Sequence, residues 1–242
     1  NHELSGLDGC IERTVRFLRS REHLGLVFAD YEIYDERGIV HPSGTSTWKN
    51  FRSIPHSVVS EDCWVFTGSL TPAILKYGSF MPTSSLTVKR KSLPASGLFR
   101  VDCGYGNETD FSARCALHCE SGYIDRILSR KRDHPASVIH DDTQRVDWAR
   151  CMLEMSEGQR EAFREHPELL SLLRHVIAEH AVGYGWGLLQ EGRRNEALRL
   201  LRMYTRRYPR DVRFYRLWVK YLLGLSGRRP WGRSRATGAR DR

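Results

Sequence analysis

The stretch "LGLVFADYEIYDERGIV", residues 24–40, is apolar from Leu24 to Ala29, becomes acidic and aromatic from Asp30 to Tyr34, and meets Asp35-Glu36-Arg37-Gly38 before two more apolar residues. An apolar run of this length bounded by turn residues reads as a buried strand, and the Asp-x-x-Gly corner returns the chain into a short second strand. Just upstream, in "LDGCIERTVRFLRS" (7–20), Ile11, Val15 and Leu18 recur at helical spacing. Helix, strand, turn and short strand together predict an α/β domain.

Downstream, Pro42 to Ser60 is rich in Ser, Thr, Gly and Pro and reads as a loop with little regular structure. "TPAILKYG" (71–78) reads as a helix, and "PTSSLTVKR" (82–90) as a short buried strand carried by Leu86 and Val88. In "GNETDFSARCALHCESGY" (106–123), Phe111, Cys115 and Cys119 fall on one helical face and Gly122 supplies a stop. "YIDRIL" (123–128) then reads as a short edge strand.

After Asp142 the pattern is helical throughout. Pro167 opens a long helix, Asn195 caps "EALRLLRMYTRRYP" and Asp211 caps "VRFYRLWVKYLLG". "GWGLLQEGRRNEALRLL" (185–201) resembles one tetratricopeptide-type hairpin, with Gly192 at the turn and Ala197 facing back. A free-standing array needs about three such copies, so a helical extension is expected. Residues 226–242, built of Gly, Arg, Pro and Ser, read as a disordered basic tail.

The 242 residues are 40% hydrophobic, enough for a core, and hold no apolar run long enough to cross a bilayer. Six scattered cysteines lack the density of a disulfide scaffold, which points to a reducing, cytoplasmic setting. Residues 1–150 hold 19 Lys and Arg against 19 Asp and Glu, and residues 151–242 hold 19 against 10. The net charge of +9 therefore sits in the helical part and tail, and nucleic acid is the weakest of the partner readings.

Four segments occur in a telling order: "LGLVFADYEIYDERGIVHP", "PTSSLTVKRKSLPASGLFR", "NETDFSAR" and "GYIDRILSRKRDHPAS". Their order and spacing resemble the second half of family 2 glycosyltransferases, over roughly residues 1–140. The resemblance implies that residues 1–141 are the acceptor-side, C-terminal part of a GT-A nucleotide-sugar domain, Rossmann-like in fold. Residues 142–225 would then be an all-α extension and 226–242 the tail. It implies inverting transfer from a nucleotide-sugar donor to a saccharide or lipid-linked acceptor, in the making of surface polysaccharides or related glycans. It also implies Mg²⁺ or Mn²⁺ at a D-x-D motif, which in the family precedes the segment matching "ELSG". No D-x-D precedes Glu3, so the resemblance implies that the donor site lies upstream of Asn1, or that Asn1 and His2 are its altered end.

The family's helix opens E-D-x-D-F-x-x-R. Here Asn107 stands at the first Glu, Glu108 at the base Asp, and Asp110, Phe111 and Arg114 match. Such a base takes the acceptor hydroxyl's proton as the oxygen attacks the anomeric carbon, and a helix N-terminus favours its ionised form. Glu in place of Asp moves the carboxylate by about a bond length, a misplacement able to cost around a hundredfold. Glu108 is the first candidate for the base and Asp110 the second. Local pattern offers a competing reading, because Asn107 and Asp110 fit the cap and capping-box positions.

His134 matches the family's His near the donor diphosphate, and also reads as a surface histidine between Arg132 and Pro135. Trp48, Phe51, Trp64 and Phe66 could stack on acceptor sugar rings or anchor a long loop, with Trp48 and Trp64 the named acceptor candidates. Cys115, His118 and Cys119 lack a structural zinc spacing, and Cys115 and Cys119 read as core. The helical extension is a candidate contact for a protein or a membrane surface. A non-catalytic interaction protein working through the hairpin is the alternative to the transferase.

Overall fold

The computed structural model describes residues 4–6, 9–48, 50–78, 80–94, 97–100, 104–134 and 145–225. They divide into two compact units: one takes the described residues up to Arg100 and from Glu108 to 134, the other 104–107 and 145–225. His2 and the basic tail lie outside the described residues.

The first unit is a mixed α/β domain built on a seven-stranded sheet. Its strands are β1 (Leu4–Gly6), β2 (Leu24–Asp35), β3 (Gly38–His41), β4 (His56–Ser60), β5 (Cys63–Phe66), β6 (Thr87–Val88) and β7 (Glu120–Arg132). Its helices are α1 (Cys10–Ser20), α2 (Thr71–Tyr77) and α3 (Asn107–Ala116), whose first residue falls with the other unit. β2 and β7 run parallel through the middle, pairing Val27 with Gly122 and Tyr34 with Arg132. All the other pairings are antiparallel. Asp35 builds the expected corner, its Oδ1 accepting from the Arg37 N–H at 2.7 Å, with Gly38 at φ 125°.

The supposed edge strand at 123–128 is thus part of the central strand. β7 is bordered by β2 on one side, and on the other by β5 at Gly122–Ile124 and by β1 at Ser129–Lys131. Asp125 and Arg126 fall in the gap between those two short partners, which explains their edge-like chemistry inside a central strand. Gly122 is not a helix stop: α3 ends at Ala116, and a Cβ on Gly122 would lie 2.7 Å from the Phe17 ring. The glycine lets α1 approach the sheet.

α1 lies as predicted, but rolled about its axis. Ile11 is 78% exposed, while Cys10, Thr14, Phe17 and Leu18 form the buried face. Cys10, Phe17 and Leu18 pack on Leu24, Val27, Ala29, Ile124 and Leu128. The roll is fixed by Phe17, the largest apolar side chain of the helix, and by Thr14, whose hydroxyl accepts from Thr87 at 3.0 Å. The other sheet face carries an aromatic core in which Phe28 lies 5.2 Å from Tyr123 and 6.0 Å from Phe66 and Phe80.

The 42–60 region holds more structure than its composition suggests: a 3₁₀ turn at Thr45–Thr47, then the β4–β5 hairpin. Ser-rich β4 has its side chains largely exposed and wins its strand from pairing alone.

The second unit is four helices: α4 (Arg145–Ala162), α5 (Pro167–Gln190), α6 (Arg194–Arg207) and α7 (Val212–Leu222). Gly192 at φ 76° turns α5 into α6, and Ala197 is fully buried. Cβ atoms on Gly185 and Gly187 would come within 2.8 Å of Leu217 and 2.9 Å of Val146, so small residues set these crossings. Asp211 caps α7 as predicted, accepting from the Arg213 N–H at 3.0 Å. Asn195 is not a cap: α6 starts one residue earlier, at Arg194. No described helix is long and apolar enough to cross a membrane.

Candidate functional site

The start of α3 separates its two carboxylates. Gly106, at φ 79°, turns the chain into the helix, and Glu108 stands exposed in the first turn. Asp110, two residues on, is 1% exposed. Its Oδ2 accepts from Arg114 Nε at 2.8 Å, and the guanidinium also donates to the carbonyls of Gly97 and Leu98 at 2.6 Å each. Phe99 packs on Phe111 with ring centroids 4.6 Å apart. Asp110 and Arg114 therefore fasten the 97–99 segment to α3. The geometry leaves Glu108 as the carboxylate able to meet a substrate from solvent.

A second polar assembly holds the loop after β3. Asp30, 3% exposed, accepts from the N–H groups of Tyr31 (2.8 Å) and Thr45 (2.9 Å) and from the Ser43 hydroxyl (2.5 Å). The Thr45 hydroxyl meets the Tyr123 hydroxyl at 2.9 Å, Tyr123 donates to Asp125 at 3.2 Å, and Arg52 grips Asp125 with two nitrogens at 3.1 and 3.2 Å. Burial and then the charge of Asp30 push the Tyr123 phenol far above its ordinary range, so it serves as a neutral hydrogen-bonding link. Gly44 lies flat against Tyr31, where an added Cβ would come 2.2 Å from the ring. Sequence reasoning missed this chain. Its signal was Asp30 itself, an acid inside an apolar strand, which must be satisfied by its neighbours if buried.

Trp64 is 6% exposed, stacked 4.2 Å from the His56 ring, with the Arg52 guanidinium 5.1 Å from its own ring. Phe51 and Phe66 are 2% exposed, in the same core. These three anchor the loop. Trp48 is half-buried, 3.6 Å from where a Cβ on Gly78 would be. It is the acceptor candidate that still offers a ring surface.

His134 is half-buried just beyond the C-terminal end of β7, where the Asp133 N–H donates to the Tyr34 carbonyl at 2.7 Å. It therefore lies beyond the carboxyl ends of the parallel pair, the edge at which open α/β sheets bind ligands. Among the described residues no three His, Cys, Asp or Glu side chains gather as a metal set. A Mg²⁺ or Mn²⁺ site is therefore not assigned among the described residues, and no step below runs through one. Cys115 is fully buried and accepts at its carbonyl from Cys119 Sγ at 3.2 Å, a core arrangement. Burial pushes the Cys115 thiol up to about 12.

Compared with protein families, curated proteins and solved structures, the chain matches none.

Proposed function

We propose that the first unit is the acceptor side of an inverting, family 2-like glycosyltransferase of GT-A type, and that Glu108 is its base. One observation carries the assignment of roles: on a single helix start, Asp110 is committed to Arg114 while Glu108 is exposed. A base must reach a hydroxyl that arrives from solvent. The order of motifs supports the reading further, since β6 pairs with β2 and β2 runs parallel to β7. In this scheme the Asp30–Thr45–Tyr123–Asp125–Arg52 chain stiffens the acceptor loop and Trp48 borders the acceptor. His134 would stand at the donor diphosphate, and divalent-metal ligands would come from outside the described residues.

The test is nucleoside diphosphate release from a panel of nucleotide sugars with Mn²⁺, using the chain extended with its upstream coding sequence. Glu108→Gln is expected to lose at least about a hundredfold in kcat with folding unchanged. Equal rates in Glu108→Gln and the parent would remove Glu108 from the chemistry. Silence across the panel would favour the interaction-protein reading.

A further inference from the structure

Helix α7 is apolar on two faces. The inner face packs within the helical unit: Phe214 stacks 6.1 Å from both Tyr204 and Tyr208, and Leu217 lies over Gly185. The outer stripe is Val212, Tyr215, Val219, Leu222 and Leu223, between 47% and 71% exposed. Their spacing places them along one side of a helix of 3.6 residues per turn. Leu225, half exposed, follows.

Beside the stripe runs a basic flank, Arg213, Arg216 and Lys220, also at helical spacing, and α7 contains no acidic residue. Two of these charges are held in place. Arg213 pairs with Asp211 at 2.6 Å, and Lys220 stands 3.9 Å from the Trp186 ring. Residues 226–242, next in sequence, carry six arginines against one aspartate.

A stacked helical unit whose last helix is apolar outward needs a cover. A second copy laid on this face would bring the Arg216 and Lys220 charges of both chains together, since the capping Asp211 is already paired with Arg213. An apolar stripe with a basic border is what an interfacial helix offers to anionic lipid, the stripe entering the headgroup boundary and the cations meeting the phosphates. We infer that the outer face of α7 docks on an anionic lipid surface. The inference goes beyond the transferase reading and stands on the helical unit alone.

Vesicle flotation tests it, with zwitterionic phosphatidylcholine in one arm and about a third anionic phosphatidylglycerol in the other. The chain is expected to float with the anionic vesicles and not the zwitterionic ones. The triple variant Val219→Gln/Leu222→Gln/Leu223→Gln keeps every charge, including the downstream arginines, and is expected to bind more than about tenfold more weakly. Circular dichroism checks that its helices remain, and Leu222→Gln alone, expected to weaken binding in the same direction, serves if they do not. Undiminished binding by the variants would overturn the proposal in favour of the arginine-rich segment acting by charge alone. Absence of binding by the parent chain would also overturn it. A dimer in sedimentation velocity that the triple variant dissolves, with no vesicle binding, would assign the face to a second copy instead.

Discussion

Asp110→Ala removes one half of an ion pair whose side chains are 2% and 7% exposed, and takes this carboxylate from a buried Arg114 guanidinium that also donates to the carbonyls of Gly97 and Leu98. Breaking such a pair from one side costs about 3–5 kcal/mol, chiefly because the remaining charge is uncompensated. Salt screens the pair little at this depth. Cys115 provides a local reporter, since it follows Arg114 directly, is 0% exposed, and has a thiol pushed up to about 12 by burial. It should react only when α3 opens. In the limit where closing outpaces labelling, 3–5 kcal/mol corresponds to a rise of roughly 150- to 5,000-fold in the Cys115 labelling rate. Pulsed alkylation at pH 8, with the modified peptide located by mass spectrometry, measures it. Asp110→Asn keeps an acceptor for Arg114 and should lie between the two. Replacing both partners, in Asp110→Leu/Arg114→Met, should recover most of the loss, because no buried charge remains. A rise under about tenfold for Asp110→Ala would refute the claim that this pair fastens the 97–99 segment to α3.

Gly122→Ala puts a Cβ 2.7 Å from the Phe17 ring and should cost the first unit about 1–3 kcal/mol in urea unfolding; a neutral result would mean that α1 can shift. Asp211→Ala should destabilise the helical unit by about 1 kcal/mol through its N-cap bond. Hydrogen bonding from Arg213 lowers the Asp211 pKa. The cap therefore contributes fully above the unfolded aspartate pKa and fades as pH falls through the lower folded one, so the parent–variant gap should close in acid. Burial lowers the pKa of His180, whose Nδ1 lies 2.8 Å from the Ser156 hydroxyl. The unfolded chain then takes up the proton first, so the helical unit should lose stability as pH falls below about 6.5, by up to about 1.4 kcal/mol per pH unit, until the folded form protonates. His180→Leu should flatten that slope in melts followed at 222 nm.

Where one element's own periodicity decides its structure, the sequence could be read. Residues 24–40 announced β2, the corner and β3, and Gly192 and Asp211 marked a helical turn and a helix start. Failures came where distant partners decide. Which face of α1 is buried depends on Phe17 meeting Gly122, a contact across more than a hundred residues, so Ile11 looked as good a core residue as any. β4 looked like loop because its strand comes from pairing with β5, not from its own Ser-rich composition. At the site, the helix start, both carboxylates and the outward place of Glu108 were legible, but the pairing of Asp110 with Arg114 was not. It depends on Arg114 reaching both Asp110 and the carbonyls of the preceding loop.

The parallel joining of β2 and β7 also bears on how the chain is made. Val27 meets Gly122, 95 residues later, so the middle of the sheet cannot close until nearly all of the first unit has left the ribosome. Until then the apolar run at 24–29 is a nascent strand without its main partner, exposed to wrong pairing. The helical unit faces no such delay, because its helices contact near neighbours in sequence and local contacts form fast. Slowing synthesis between residues 40 and 120 would therefore endanger the sheet and spare the helices.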